Sequence, residues 1–360
     1  MRTRMSRLAI VLVALAIASS ACGRSEPSAF VPEIPELPVF PEELDIDLFW
    51  VPEDNPITPE KVALGWQLFY DPRLSADDTI SCASCHLPEA GFADPRPGSV
   101  GVGGAVGGRN APTVINAMFS EALFWDGRAG SLEEQAVGPI MNSIEMANTL
   151  EAMEARLAEI PGYRRQFEEV FGAEQVTAEL VGKAIATFER MVVSANSPWD
   201  RSLSTGDESL ISDAARRGNA LFNDKAGCAQ CHVVTNVDSV PTDLYQNTGV
   251  GMNIEEPDPG RYAHSGEDED RGAFKVPALR NVTETAPYMH DGSLATLEDV
   301  ILFYEKGGEP NDWLDEKMRP LELTDQERQD LLAFLEALTG EVPAFVTRAP
   351  RLPPSIGGAP

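Results

Sequence analysis

Cys-x-x-Cys-His occurs twice in this 360-residue chain, as Cys82-Ala-Ser-Cys85-His86 and Cys228-Ala-Gln-Cys231-His232. Two thiols spaced by two residues can add across the two vinyl groups of one haem, and the adjacent histidine then reaches the iron. A lone Cys-x-x-Cys also suits zinc or thiol redox chemistry. Here the two motifs use four of only five cysteines and two of only four histidines. That economy points to two covalent haems of c type.

The remaining thiol, Cys22, follows three arginines (Arg2, Arg4, Arg7), an apolar run over residues 8–18, and the small residues Ser19-Ser20-Ala21. This is the grammar of a cleaved export signal, and a cysteine at its end reads as a bacterial lipoprotein acceptor. The alternative is an ordinary signal peptide with Cys22 incidental. The run is too short and wrongly flanked to remain as a spanning helix. No thiol is left for a disulfide.

The net charge is −29, and about −32 without the basic leader. Such a chain is repelled by nucleic acid and by anionic membrane surfaces, and attracts basic protein partners. Residues 23–55 are rich in proline and acids and read as an extended tether lifting the domains off a membrane. Residues 343–360 read as an irregular tail. The stretch between them is long enough for two cores.

Helix signals dominate that stretch. Thr58-Pro59 opens one helix, and others fit 149–159, 177–193 and 213–223. Thr296-Leu-Glu-Asp299 starts another, closed by Gly307-Gly308. Thr324-Asp-Gln-Glu327 is a capping box ahead of Leu331, Phe334, Leu335 and Leu338, with Gly340 as terminator. Convincing strands are absent. A weak repeat precedes each haem motif: Gly65-x-x-Leu68-Phe69-Tyr70-Asp71 and Gly218-x-x-Leu221-Phe222-Asn223-Asp224. The expected fold is mainly α, with two cytochrome c-like domains over 56–205 and 206–342, one covalent haem in each.

Whether the second axial position of each iron is filled decides between electron transfer and chemistry. No histidine lies between 87 and 231, so the first haem lacks an imidazole partner in its own domain. Its methionines (Met118, Met141, Met146, Met153, Met191) could serve, but the helical ones read better as core. Counting alone therefore suggests an open iron above His86. The second haem has several candidates: His264, His290, Met252, Met289, Met318, Tyr262, Tyr288 and Tyr304. Leu297, Val300, Ile301 and Tyr304 share one helical face, so Tyr304 points inward, as a core tyrosine also would.

Phe124-Trp-Asp-Gly-Arg-Ala129, Gln135-Ala-Val-Gly-Pro-Ile140 and Ala286-Pro-Tyr-Met-His-Asp-Gly292 stand in this order around the haem motifs. With them, residues 56–340 resemble the bacterial di-haem cytochrome c peroxidase family, which includes MauG. The resemblance implies a periplasmic protein with a calcium ion between its two domains. One haem would reduce hydrogen peroxide, and the other would receive electrons from a donor. By position, His86 becomes the proximal ligand of the peroxidatic haem, Glu145 its distal acid, and Gln135 and Pro139 distal-pocket residues. Trp125 matches the tryptophan carrying electrons between the haems. The Asn110 side chain and the carbonyls of Thr285 and Pro287 match the calcium ligands. His290 would orient the inter-haem region, while His264 has no counterpart and reads as a surface residue.

Two departures from the family pattern matter. Many members carry a histidine in a mobile loop after the first motif that blocks the iron; here that stretch is Gly101-Val-Gly-Gly-Ala-Val-Gly-Gly108. It reads as a flexible loop, and as neither a histidine donor nor a phosphate loop. Typical members also place a methionine ligand fourteen residues after the second-signature histidine; here that position is Tyr304, as in MauG-like members. A phenolate donor favours Fe(III) and higher states. The leading expectation is a peroxidase taking electrons from a small cytochrome c or cupredoxin. The second is a MauG-like oxidase whose high-valent haem pair modifies tryptophan or another residue of a partner protein. The third, a pure electron-transfer dihaem cytochrome, is opposed by Glu145, Gln135 and Pro139. A homodimer is suggested weakly by the resemblance.

Overall fold

The computed structural model describes residues 30–38, 51–232, 234 and 244–355. The expected leader, Cys22, most of the tether and the last residues of the tail lie outside the described residues.

Helix α1 (Pro59–Tyr70) starts where Thr58 accepts the backbone N–H of Lys61, with Pro59 needing no donor at the first position. It crosses α5 (Ala178–Glu189), and Gly65 marks the crossing: a Cβ there would lie 1.9 Å from the carbonyl oxygen of Ala184. The second half repeats the arrangement. Helix α7 (Asp213–Asn223) crosses α10 (Asp325–Ala337), and a Cβ on Gly218 would lie 1.9 Å from the carbonyl oxygen of Asp330. Phe69 then meets Phe188 with ring centroids 5.0 Å apart, and Phe222 meets Phe334 at 5.2 Å. The sequence repeat is thus two copies of one close helix crossing ahead of a haem motif.

Other helices are α2 (Leu132–Met141), α3 (Leu150–Glu159), α4 (Pro161–Phe171), α6 (Pro198–Thr205), the single turn α8 (Tyr262–Ser265) and α9 (Leu297–Glu305). The predicted capping box forms at Thr324/Glu327, and the predicted helix start at Thr296 is a capping box with Asp299 as well. The sequence reading passed over α2, α4 and α6. Helix α2 holds Gly138-Pro139 in its last turn, where the proline removes one intrahelical bond and the helix ends two residues later. The helix expected to run to 193 ends at Glu189 and continues as a turn. Strand is limited, among the described residues, to the two-residue pair β1 (Tyr245–Gln246) and β2 (Phe274–Lys275) plus isolated bridges.

The tail is irregular, as expected, but it is docked. Val346 is fully buried in the first core, Tyr70 donates to its carbonyl at 2.6 Å, and Trp66 donates to the carbonyl of Arg348 at 2.9 Å. Phe30, ahead of the proline run, is also buried against the first half near Gly162. The described tether residues 30–38 are therefore seated on the domain at Phe30 and Pro35 rather than free of it. Of the methionines read as core, Met118, Met146, Met153 and Met191 are buried; Met141 is instead 51% exposed at the end of α2. No helix among the described residues is long and apolar enough to cross a membrane.

The candidate di-haem site

Cys82–Ser84 forms a 3₁₀ turn, and the N–H groups of Cys85 and His86 both close onto the carbonyl of Cys82, at 3.1 and 2.9 Å. This brings Cys82, Cys85 and His86 to one wall of a cleft with about 1220 Å³ of atom-free space, its mouth included. Nδ1 of His86 lies 3.1 Å from the carbonyl oxygen of Phe92. A carbonyl can only accept, so Nδ1 carries the proton and Nε2 presents its lone pair. Burial lowers the imidazole's pKa and keeps it neutral.

The second motif repeats this chemistry. His232 N–H closes onto the carbonyl of Cys228 at 2.9 Å, and its Nδ1 lies 3.0 Å from the carbonyl of Pro277. Burial pushes the ring's pKa down to about 4. Two free thiols beside a neutral imidazole with a fixed tautomer fit a covalently held haem at both places. Tyr304, on α9, has its phenol raised in pKa chiefly by burial and next by the Cys228 and Cys231 side chains, which places it beside the second motif. Ile301, on the same face, is buried, as the periodicity predicted.

Helix α2 and the turn after it build the far wall of the first cleft, where Gln135, Pro139 and Glu145 all face the cavity. The carbonyl of Pro139 accepts from Asn142 at 3.2 Å and from Met146 at 3.3 Å, which reverses the chain and swings Glu145 over the cleft. Asn142 Nδ2 donates to Glu145 Oε1 at 2.8 Å. Burial raises the pKa of Glu145 more than this hydrogen bond and the charge of Arg128 lower it. The glycine-rich stretch read as flexible is tied down here: the Val102 N–H donates to the Glu145 carbonyl at 2.8 Å, and Gly101 N–H to the Ala105 carbonyl at 2.8 Å. A Cβ on Gly101 would fall 2.0 Å from the Ile144 carbonyl oxygen, so the close approach requires glycine.

Trp125 joins the two halves. Its ring lines the first cleft, its Nε1 donates to the Asn110 carbonyl at 2.8 Å, and its own carbonyl accepts from Lys275 on β2 at 2.8 Å. Asn110 is buried, its backbone N–H donates to the His290 carbonyl at 2.7 Å, and its Nδ2 donates to the carbonyls of Asp94 and Arg96. His290 is buried and stacked on Phe274, 3.6 Å between centroids, whereas His264 is exposed.

One residue of the cleft escaped the sequence reading. Glu189 lines it, is 5% exposed, leaves Oε2 without a hydrogen-bond partner, and has its pKa pushed up to about 8 by burial. Its signal was a carboxylate on the apolar stripe of α5 beside Ile185 and Phe188.

Residues 59–209 match the family model for di-haem cytochrome c peroxidase, and residues 215–339 match that for cytochrome c. The chain is 44% identical, over 84% of both sequences, to the methylamine utilization protein MauG of Methylorubrum extorquens. The chain belongs to the di-haem cytochrome c peroxidase family. It is also 41% identical to the cytochrome c551 peroxidase of Nitrosomonas europaea, over 84% of this chain and 87% of that one. A solved MauG-like protein associated with microbial copper homeostasis superposes with a TM-score of 0.76 at 33% identity, covering 91% of this chain and 99% of the other. As a family member this chain is a di-haem oxidoreductase, mainly α, with haem c as its cofactor.

Proposed function

We propose that this di-haem peroxidase reduces hydrogen peroxide to water at the first haem, with two electrons and two protons consumed per peroxide. The observation that carries this reading is Glu145, held by Asn142 in the wall of the cleft that also contains His86, with its pKa raised by burial. Bound haem supplies the iron that takes the peroxide and passes on the electrons. The protein's share is proton movement. Glu145 takes a proton from one peroxide oxygen and returns it to the other, which leaves as water. Gln135 and Pro139 line the same space and restrict how peroxide lies beneath Glu145.

Electrons would come from a small cytochrome c or cupredoxin, drawn by the acidic surface, and enter by the second haem. Trp125 is the proposed bridge, since its backbone is bound to β2 while its ring faces the first cleft. His86 and His232 would each bind the iron of the haem attached at their own motif, and Tyr304 would be a further protein ligand to the second. A calcium ion would bind the Asn110 side-chain oxygen and the carbonyls of Thr285 and Pro287, completed by water. Asn110 donates through Nδ2 to the carbonyls of Asp94 and Arg96, so its side-chain oxygen faces away from them, and its backbone carbonyl fixes Trp125. The domain limits of 56–205 and 206–342, a periplasmic location with a lipid anchor at Cys22, and a homodimer complete the reading.

A MauG-like oxidase acting on a partner protein is the second reading, favoured by Tyr304 beside the second motif and by a histidine-free 101–108 turn. Rapid mixing of the resting ferric protein with peroxide, with and without reduced cytochrome c, separates them. Fast donor oxidation supports the peroxidase; a long-lived oxidised pair with poor donor turnover supports the oxidase; no reaction removes both.

A further inference from the structure

A second cavity lies on the outer side of α2, opposite the haem cleft. Four residues, Phe124, Arg128, Pro139 and Glu145, line both spaces. They are a partition one side chain thick. The outer space reaches solvent between Glu134 and Met141, both exposed. We propose that this cavity is the route by which hydrogen peroxide reaches Glu145, and that the Phe124–Arg128 pair controls its width. The proposal rests on the reading of the first haem as the peroxide site.

The partition is built around an unusual backbone. Phe124 holds φ at +65°, a conformation costly for an aromatic residue and kept only where its surroundings impose it. The ring is clamped from two sides. The Arg128 guanidinium stands 3.5 Å from its centroid. On α2, a Cβ at Gly138 would lie 3.2 Å from Phe124 Cζ, so a side chain there would press on the ring. Gly138 leaves the ring its place, and Pro139 continues the wall.

The clamp is movable on one side only. Asp126 is buried and anchored by Arg109 at 2.8 Å, which in turn grips Asp258 of the second half through two bonds of 2.7 and 2.8 Å. Arg128 binds Asp126 at 2.9 and 3.0 Å, but its own side chain is 41% exposed. Asp126 keeps Arg109 as a partner if Arg128 leaves, so Arg128, the exposed member of the pair, is the side chain that can swing outward while Asp126 stays in place. When it does, the Phe124 ring loses its outer cover and the two spaces join.

The chemistry of the route selects its traveller. Its wall combines Val137, Pro139 and Met141 with two acids, Glu134 and Glu145, and one base, Arg128. A small neutral polar molecule passes such a wall without leaving a charge unpaired. Hydrogen peroxide fits, whereas an anion meets the carboxylates of Glu134 and Glu145.

The test uses cyanide, which is neutral in its acid form near pH 7, and follows its binding to the ferric first haem by the Soret shift. Met141→Trp fills the outer mouth from an exposed position and should slow association and dissociation by the same factor, leaving the dissociation constant unchanged. Arg128→Lys keeps the positive charge that acts on Glu145 but loses the flat stack on Phe124, and should speed both equally. Equal changes mark a route, because a passage alters both directions alike. Rates unaltered in both variants, or a changed dissociation constant with one rate fixed, would overturn the proposal. Wild-type ferric protein that binds no cyanide would instead remove the open iron on which it rests.

Discussion

Asn142 Nδ2 donates to Glu145 Oε1 at 2.8 Å, across a turn of three residues that follows α2. This bond opposes the burial that raises the Glu145 pKa, and it aims the carboxylate into the cleft. Glu145→Gln should keep both haem spectra while slowing the reaction with peroxide by about 10²–10⁴-fold, the usual share of a positioned acid–base group. Asn142→Ala should raise the Glu145 pKa further. The acid limb of the peroxide rate profile then moves to higher pH, measured by rapid mixing between pH 5 and 9. A profile identical to wild type would remove Glu145 as the proton carrier.

Glu189 makes stability depend on pH. Its pKa in the fold is about 8, against an ordinary 4.5, so between those values the folded chain holds a proton that the unfolded chain has released. The unfolded state binds fewer protons there, and stability falls as pH rises through that window. Glu189→Gln should flatten the trend, gaining on wild type between pH 5 and pH 8. Urea midpoints at the two pH values measure it; parallel curves would mean that Glu189 is already ionised.

Gly65→Ala and Gly218→Ala place a methyl group 1.9 Å from a carbonyl oxygen of the opposing helix. Helix propensity favours alanine, but the backbones must part, which should cost at least about 1–3 kcal/mol. Each change should lower the thermal midpoint and loosen the haem of its own half first, seen in the Soret band on heating.

Tyr304→Phe should abolish the low-spin signal of the second ferric haem in electron paramagnetic resonance and raise its midpoint potential, because an anionic donor to Fe(III) is lost. The first haem should remain high-spin in both proteins. An unchanged low-spin signal would move the ligand assignment to Met318.

Much of the architecture was readable from local rules. Thr58-Pro59, Thr296/Asp299 and Thr324/Glu327 are caps whose partners lie within three residues, so the helices they open needed no tertiary information. Helix α2 was hidden because Gly138 and Pro139 look like breakers; the first makes room for Phe124, and the second supplies a carbonyl that turns the chain. The docked tail was hidden for a different reason. Its partners, Tyr70 and Trp66, lie some 280 residues earlier, and no pattern within the tail points to them.

The amino-acid order by itself determined two haem attachment points, six of the main helices, and the duplicated Gly-x-x-Leu-aromatic element that builds each half. These are properties of neighbouring residues, set by thiol spacing, caps and periodicity. Tertiary structure alone decided how the cleft around His86 is equipped. It brought Glu145 from a turn, Glu189 from α5, Trp125 from a loop bound to the second half, and a thin wall of Phe124 and Arg128 into one space. Their electrostatic character comes from burial and from partners distant in sequence, so it exists only once the helices have packed.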